Sequence, residues 1–417
     1  MSEFLNTNQN SELNVSDVSN GTNEQDEFHE SNNSVIQIYN KWEDLDLDPN
    51  ILRGVFSYGF EIPSPIQQKA IKPIIDGRDI IAQAQSGTGK TATFTIGALH
   101  RINIKENSTQ VLILSPTREL ATQTTHVINE LGNFMNGLKI ETVIGGSELK
   151  SVNTFSNKNT PHIICGCPGR VYDMICRSRI NSNTIKLIIL DEADEMLSSG
   201  FKQQVYNIFQ TLNEDVQIGL FSATLPNSVS SITSKIMRNP VKICVNREQL
   251  TLEGIRQYYV AADSDPNKYL TLKNMFSYFT LSHTIIYCNS IKRVQDLYEA
   301  MRDDEFPVCR IHGNMTKQER DESFQSFRSG SSRVLISSNV TARGIDIQQV
   351  SIVINFDVPK DVHNYLHRIG RSGRWGRKGI GINFVTRRDI GNLKRIEEHY
   401  ATQINEIPED LSFLGFS

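Results

Sequence analysis

From Lys41 onward, short apolar runs rich in β-branched residues alternate with longer amphipathic stretches. The runs Asp79–Ala82, Val111–Ser115, His162–Cys165, Leu187–Leu190 and Gln217–Phe221 are continuous rather than alternating, as parallel strands buried on both faces require. The same rhythm returns with Thr284–Cys288, Arg333–Ser337 and Ser351–Asn355, and Phe384-Val385 is expected to begin one more strand. At 417 residues the chain exceeds the size at which one core usually stops growing. The pattern predicts two doubly wound α/β units with parallel sheets, over 41–245 and 256–417, joined by a short linker at 246–255. Residues 1–40 show no sustained apolar period. They are rich in Asn, Ser, Glu and Asp, and are expected to form a disordered tail.

The strongest chemical signal is the segment Ala84, Gln85, Ser86, Gly87, Thr88, Gly89, Lys90 and Thr91, placed after the strand at Asp79 and before a helix through Ala92–Ile96. Glycines let the backbone wrap phosphates, and a helix N-terminus aims N–H groups and the positive end of its dipole at them. In this pattern Lys90 reaches the β- and γ-phosphates of ATP, and the Thr91 hydroxyl ligates Mg2+. A second element, Asp191 and Glu192, emerges directly from the Leu187 run. There Asp191 is positioned to hold Mg2+ and Glu192 to orient or deprotonate an attacking water. A third element, His367–Arg374, belongs to the second unit and separates its arginines with glycines. Arg371 and Arg374 are suited to meet the γ-phosphate as arginine fingers. Together the three elements put ATP between the two units, in a site completed when they close.

Bulk composition narrows the partners. Charged residues are 22% of the chain, and no apolar run approaches the roughly 18 residues of a membrane span, which argues against a membrane role. The N-terminus lacks a basic segment followed by an apolar core, so the chain is expected to remain intracellular, cytoplasmic or nuclear. The six cysteines lack zinc-ligand spacing, and Cys165 and Cys167 read as reduced thiols in a strand and the turn after it. The net charge of −4 opposes a nucleic-acid partner only until it is located. Residues 1–40 hold seven acids and no Lys or Arg, and the remainder carries 43 basic against 40 acidic residues. A local basic groove remains open to the body of the chain.

In this order the motifs resemble those of the DEAD-box RNA helicases, over about residues 41–407. Beside the phosphate loop and the literal Asp191-Glu192-Ala193-Asp194 stand Gly59-Phe60, Pro63–Gln67, Pro116–Ala121, Gly145-Gly146, Pro168–Arg170, Ser222–Thr224, Ala342–Asp346 and the arginine segment. The resemblance implies two RecA-like domains and an RNA-stimulated ATPase that separates strands locally. It also implies that Gln67 reads the adenine edge with Phe60 and Trp42 nearby, Trp42 standing where the family usually has Phe. Asp346 would hold the ribose. Ser222 and Thr224 would relay closure to Asp194, and His367 would join that coupling. RNA contacts would come from Pro116, Thr117, Arg118, Gly146, Pro168, Gly169 and Arg170 in the first domain, and from Asn289, Gly313, Arg320 and Ser338 in the second. Most of these are small or backbone-presenting residues, which suits single-stranded or locally duplex RNA bound without regard to sequence.

Within the family, Leu250–Gln257, Phe327–Arg333 and Arg374–Gly379 look most like translation initiation factor 4A and its exon-junction paralogue. That likeness implies a monomer with protein partners of initiation-factor or exon-junction type, acting in translation initiation or mRNA processing. Several residues depart from the pattern. Asn339 stands where Asp is usual, Asn314 where Asp is common, Lys317-Gln318 reverses the usual order, Cys167 replaces Thr, Ile62 replaces Lys, and the ending 409–417 diverges. None of these touches the phosphate loop, Asp191, Glu192 or the finger arginines.

Two other readings compete. An ATP-gated clamp would close on RNA within a complex and unwind little. A DNA helicase of the same superfamily would call for an added zinc or winged-helix module, for which this length leaves little room. The acidic segment also makes a prediction. If it opposes RNA binding, a chain starting at Lys41 binds RNA more tightly than the full chain at low salt, and equal affinities in a filter-binding titration would sink the idea.

Overall fold

The computed structural model describes residues 37–85, 87–146, 159–198, 200–244, 255–276, 283–341, 350–372 and 379–408. Outside the described residues lie the expected tail through residue 36, Ser86, Asp346 with the rest of Ala342–Asp346, Arg374 with the segment to 378, the ending 409–417, and the linker except Ile255. Of the expected tail, Gln37–Asn40 are described. The Tyr39 amide donates to the Gln68 carbonyl at 3.1 Å, so ordered contact begins before Lys41.

Two seven-stranded sheets form, each wholly parallel in its pairings. The first holds β1 (Ile80–Gln83), β2 (Val111–Leu114), β3 (Ile140–Val143), β4 (Ile163–Gly166), β5 (Leu187–Asp191), β6 (Gln217–Ser222) and β7 (Val241–Cys244), in the order β3-β4-β2-β5-β6-β1-β7. The second holds β8 (Ile255–Ala261), β9 (His283–Tyr287), β10 (Val308–Ile311), β11 (Val334–Ser337), β12 (Val350–Asn355), β13 (Gly379–Val385) and β14 (Asn405–Glu406), in the order β10-β11-β9-β12-β13-β8-β14. Counting from its own first strand, the second sheet repeats the order of the first. The change of sheet falls between Cys244 and Ile255.

Burial explains which strands the apolar runs reveal. All residues of β2, β4, β5, β6, β11 and β13 are buried, because crossover helices cover both faces of a parallel sheet. Phe384-Val385 was expected to begin a strand and instead closes β13, whose first residues Gly379–Gly381 carry little apolar signal. Cys165 lies buried in β4, and Cys167 is partly buried in the turn after it. Burial pushes both thiols up to about 12, so each stays protonated. Among the described residues, no helix is long and apolar enough to cross a membrane.

Three helix starts bring motifs to the end of a strand or beside the phosphate loop. Ser64 precedes helix Pro65–Ile75, Thr117 caps helix Arg118–Leu131 by accepting from the Leu120 amide at 3.2 Å, and Asp361 caps helix Val362–Ile369 by accepting from the His363 and Asn364 amides.

Helix Pro49–Ser57 packs so tightly on the end of helix Arg118–Leu131 that a Cβ on Gly54 would stand 1.9 Å from the Leu131 carbonyl oxygen. Helix propensity alone favours alanine there by about 1 kcal/mol, whereas a rigid backbone clash costs about 1–3 kcal/mol. Gly54→Ala is therefore expected to lower stability by up to about 2 kcal/mol. Urea unfolding followed by circular dichroism checks this, and a raised midpoint would contradict the contact.

Candidate functional site

The phosphate loop leaves the C-terminal end of β1, between β6 and the edge strand β7. It is fastened to β6: the Ala84 amide donates to the Ser222 carbonyl at 3.0 Å, and the Gln83 side-chain amide to the Ala223 carbonyl at 3.3 Å. Gly87 and Gly89 take positive φ, +86° and +99°, and a Cβ on Gly89 would lie 2.8 Å from Nε2 of Gln67. Glycine is required there both for conformation and for space. Thr88 folds its hydroxyl back onto the Gln85 carbonyl at 2.7 Å, and helix Lys90–Arg101 comes next, with Thr91 in its first turn.

Lys90 is 6% exposed, and its Nζ finds no hydrogen-bond acceptor among the described residues. The carboxylate of Glu192 lies 3.8 Å away. Leaving a buried ammonium without acceptors is unfavourable, unless the site is shaped for a group that supplies them.

Facing the loop, β5 delivers Asp191 and Glu192, both 2% exposed. Glu192 has φ +52°, a left-handed conformation that costs a non-glycine residue about 1 kcal/mol. Its Oε2 is buried without a donor among the described residues. Burial, with the Glu192 charge beside it, pushes the Asp191 carboxyl up to about 7. A divalent cation at this point would reverse the pressure on both acids. The unsatisfied Lys90, the crowded carboxylates and the Thr91 hydroxyl thus fit a nucleotide triphosphate with Mg2+.

Trp42 is buried and stacks on Phe60, with centroids 6.1 Å apart and planes 27° apart, and Tyr58 lies 4.9 Å from Phe60. The Gln67 amide oxygen accepts from the Ser64 amide at 2.7 Å, which turns its nitrogen toward Gly89. Gln67 thus lies beside the loop.

Asp194 joins the two sheets. Its Oδ2 accepts from the Thr224 hydroxyl at 2.7 Å and lies 3.1 Å from Nε2 of His367, a residue 173 positions away. Thr224 is steadied by its own amide, which donates to the Ser222 hydroxyl at 3.3 Å. Glu192, Asp194 and His367 lie close enough to share a metal, but the Asp194 oxygen that faces His367 is already engaged in these two hydrogen bonds. Arg371, 2% exposed, donates from Nε to the His367 carbonyl at 3.2 Å.

The residues expected to meet RNA occupy loops and helix starts in both domains. Pro116, Thr117 and Arg118 come after β2, and the Arg118 guanidinium lies against Gly145 and Gly146. Pro168, Gly169 and Arg170 form the first turn of helix Pro168–Cys176, where Gly169 is exposed and Arg170 pairs with Asp173 at 2.9 Å. In the second domain, Asn289 follows β9, Gly313 follows β10 and Ser338 follows β11. Arg320 is nearly buried: it donates to the Gly313 carbonyl at 2.8 Å and to Glu119 of the first domain at 2.8 Å.

Two residues inside these motifs were given no role by sequence reasoning. Glu119 is the partner of Arg320, and Arg368 gathers the loops after β9, β11 and β12. An acid beside Arg118 and an arginine beside His367 were the only available signals, and neither names its partner.

A DEAD/DEAH box helicase family model matches residues 64–232, and a helicase conserved C-terminal domain model matches residues 267–376. The chain is 51% identical over 375 residues to the ATP-dependent RNA helicase eIF4A of Lodderomyces elongisporus, covering 90% of this chain and 94% of the relative. It is 48% identical over 387 residues to the ATP-dependent RNA helicase FAL1 of Yarrowia lipolytica, covering 93% and 97%. Among solved structures, S. cerevisiae Dbp5 bound to RNA and ADP BeF3 superposes with a TM-score of 0.84 at 35% identity, covering 89% of this chain and 96% of that one.

The Glu119–Arg320 pair yields a prediction. Removing one partner leaves the other charge nearly buried and unpaired, at a cost of about 2–4 kcal/mol. Separation of the domains relieves that cost by rewetting the charge, so it should fall on closure rather than on folding. Glu119→Ala is expected to enlarge the radius of gyration in small-angle scattering with a non-hydrolysable ATP analogue. Melting temperature should change little, and the Glu119→Ala/Arg320→Ala double variant should be no more open than the single.

Proposed function

The chain belongs to the DEAD-box helicase family, and on that premise we propose that it is an ATP-dependent RNA helicase of the initiation factor 4A group, whose two domains close on ATP and RNA together. The observation that carries this reading is the Asp194 carboxylate, hydrogen-bonded at once to Thr224 beside the phosphate loop and to His367 beside Arg371. Through it, the turn that follows the acids facing ATP is hydrogen-bonded to the residue whose carbonyl holds the finger arginine.

The residues in place dictate the reaction. The loop amides and Lys90 hold the β- and γ-phosphates, Gln67 reads the adenine edge, and Trp42 and Phe60 wall the base. Thr91 and Asp191 would hold Mg2+, which when bound neutralises charge on the phosphates. Glu192, with one oxygen near Lys90 and the other unengaged among the described residues, orients a water for attack on the γ-phosphorus and accepts its proton. Arg371 stabilises the charge that develops on the transferred group. Arg374 is its expected companion and Asp346 the expected ribose ligand, both outside the described residues.

RNA lies across the loops that carry Pro116 to Arg118, Gly146 and Pro168 to Arg170 in one domain, and Asn289, Gly313, Ser338 and Arg320 in the other. Backbone and small polar groups there suit phosphates and 2′-hydroxyls, so binding is indifferent to base sequence and weakens with salt. Closure then bends one strand and separates a short duplex. The chain works inside the cell, in the cytoplasm or nucleus, with protein partners of the initiation-factor or exon-junction type. The 51% identity to an eIF4A supports the first role.

Phosphate release from ATP and Mg2+, with single-stranded RNA or DNA of equal length, tests the reading. RNA alone is expected to stimulate strongly, and Glu192→Gln to lower the stimulated rate by about 10²–10⁴ while retaining ATP binding. ATP bound but never hydrolysed faster with RNA would favour a clamp, and equal stimulation by DNA would overturn RNA specificity.

A further inference from the structure

Arg368 is one of the largest fully buried side chains, yet every hydrogen-bond acceptor of its guanidinium among the described residues is neutral. Its Nε donates to Asn339 Oδ1 at 2.8 Å, one terminal nitrogen to Asn355 Oδ1 at 3.1 Å and the Asp357 carbonyl at 2.9 Å, and the other to Asn289 Oδ1 at 2.7 Å. The ring of Tyr287 lies 5.3 Å beneath it. Behind Asn355 the neutrality continues through Asn383, Tyr365 and Gln257, linked at 2.9, 3.3 and 2.7 Å. The neighbouring carboxylate, Asp357, is engaged elsewhere, by Arg293 at 3.2 Å and by the Asn289 amide at 3.0 Å. Burial without a bonded counter-charge pushes the Arg368 guanidinium down to about 10, still fully charged near neutral pH.

The two amides that cover this cation on its outer side, Asn289 and Asn339, belong to exposed residues. Asn339 stands at the position where the resembling family usually carries Asp. A carboxylate there would bond the same Nε and cancel the charge. In this chain the position provides the hydrogen bond and leaves the cation.

We propose that Arg368 is a positioning residue that ties the RNA-facing loops at Asn289 and Ser338-Asn339 to the helix bearing His367, and that Asn339 keeps its charge uncancelled as a buried attraction for the RNA backbone. This rests on the chain being an RNA-stimulated ATPase. Only two exposed amides separate the cation from the surface that Asn289 and Ser338 present. In that setting a charge is screened less than it is on a solvated lysine.

The test is phosphate release titrated with single-stranded oligouridylate RNA, together with thermal melting. Asn339→Asp is expected to raise the RNA concentration for half-maximal stimulation about three- to tenfold. It should leave the rate at saturating RNA within about twofold and raise Tm by about 2–4 °C, since the buried cation gains a charge-assisted partner. Arg368→Lys keeps the charge and loses the fork. It is expected to lower the rate at saturating RNA while leaving the Kd for a fluorescent ATP analogue unchanged. An unchanged half-saturation and Tm in Asn339→Asp would overturn the charge assignment, and full stimulation in Arg368→Lys would overturn the positioning role. Should the unaltered chain itself ignore RNA, the ATPase reading fails instead, and the melting comparison, which needs no RNA, still decides whether the cation was uncompensated.

Discussion

The structure turns on one buried carboxylate. Asp194 is 2% exposed and would be costly to ionise alone, and its donors come from different domains: Thr224 from the turn after β6 and His367 from the helix after β12. When the domains part, Asp194 keeps the first donor and loses the second. The closed arrangement is therefore the one in which this charge has both partners, at the end of the same strand and turn that supply Asp191 and Glu192. Anything that eases the crowding of these acids, as phosphate-bound Mg2+ would, favours the same arrangement.

The repeated strand order explains why so few residues suffice to build the site. In each domain the strands release loops at their C-terminal ends, where an open parallel sheet offers its crevice. The first copy carries the phosphate loop and the acids there. The second copy carries the helix of His367, with Arg371 just past its end, and Arg368 fastens that helix to its own loops. The Glu119–Arg320 bridge then joins the two surfaces expected to meet RNA, apart in sequence from the Asp194–His367 contact. Two separate bonds across one interface give closure two inputs.

Much of this was legible in the sequence because buried parallel strands have a blunt signature. Val111–Leu114 and Leu187–Leu190 are wholly apolar, and the phosphate loop is bracketed by a strand and a helix as its chemistry demands. Partly exposed strands were not legible. β7 alternates buried Val241 and Ile243 with exposed Lys242 and Cys244, β3 mixes Glu141 and Thr142 with apolar residues, and β8 carries Arg256 and Gln257. Partners were least legible of all. Glu119 and Arg320 are 201 residues apart, and nothing local to either marks a bridge. Arg320 was read as an RNA contact from its motif alone, and the structure places its guanidinium between Gly313 and Glu119.

His367 and Arg368 make the last connection. Successive residues of an α-helix point about 100° apart, so these neighbours address different surroundings: His367 meets Asp194, and Arg368 meets Asn289, Asn339 and the Asp357 carbonyl. Both side chains are buried, which leaves neither free to move without the helix. A shift that improves one set of contacts therefore carries the other with it. On the proposed reading, RNA pressing on the loops at Asn289 and Ser338 would act on the helix whose residue His367, adjacent to Arg368, meets Asp194. Coupling between the two ligands needs no long pathway through the core, since adjacent residues on one rigid turn span the distance from one site to the other.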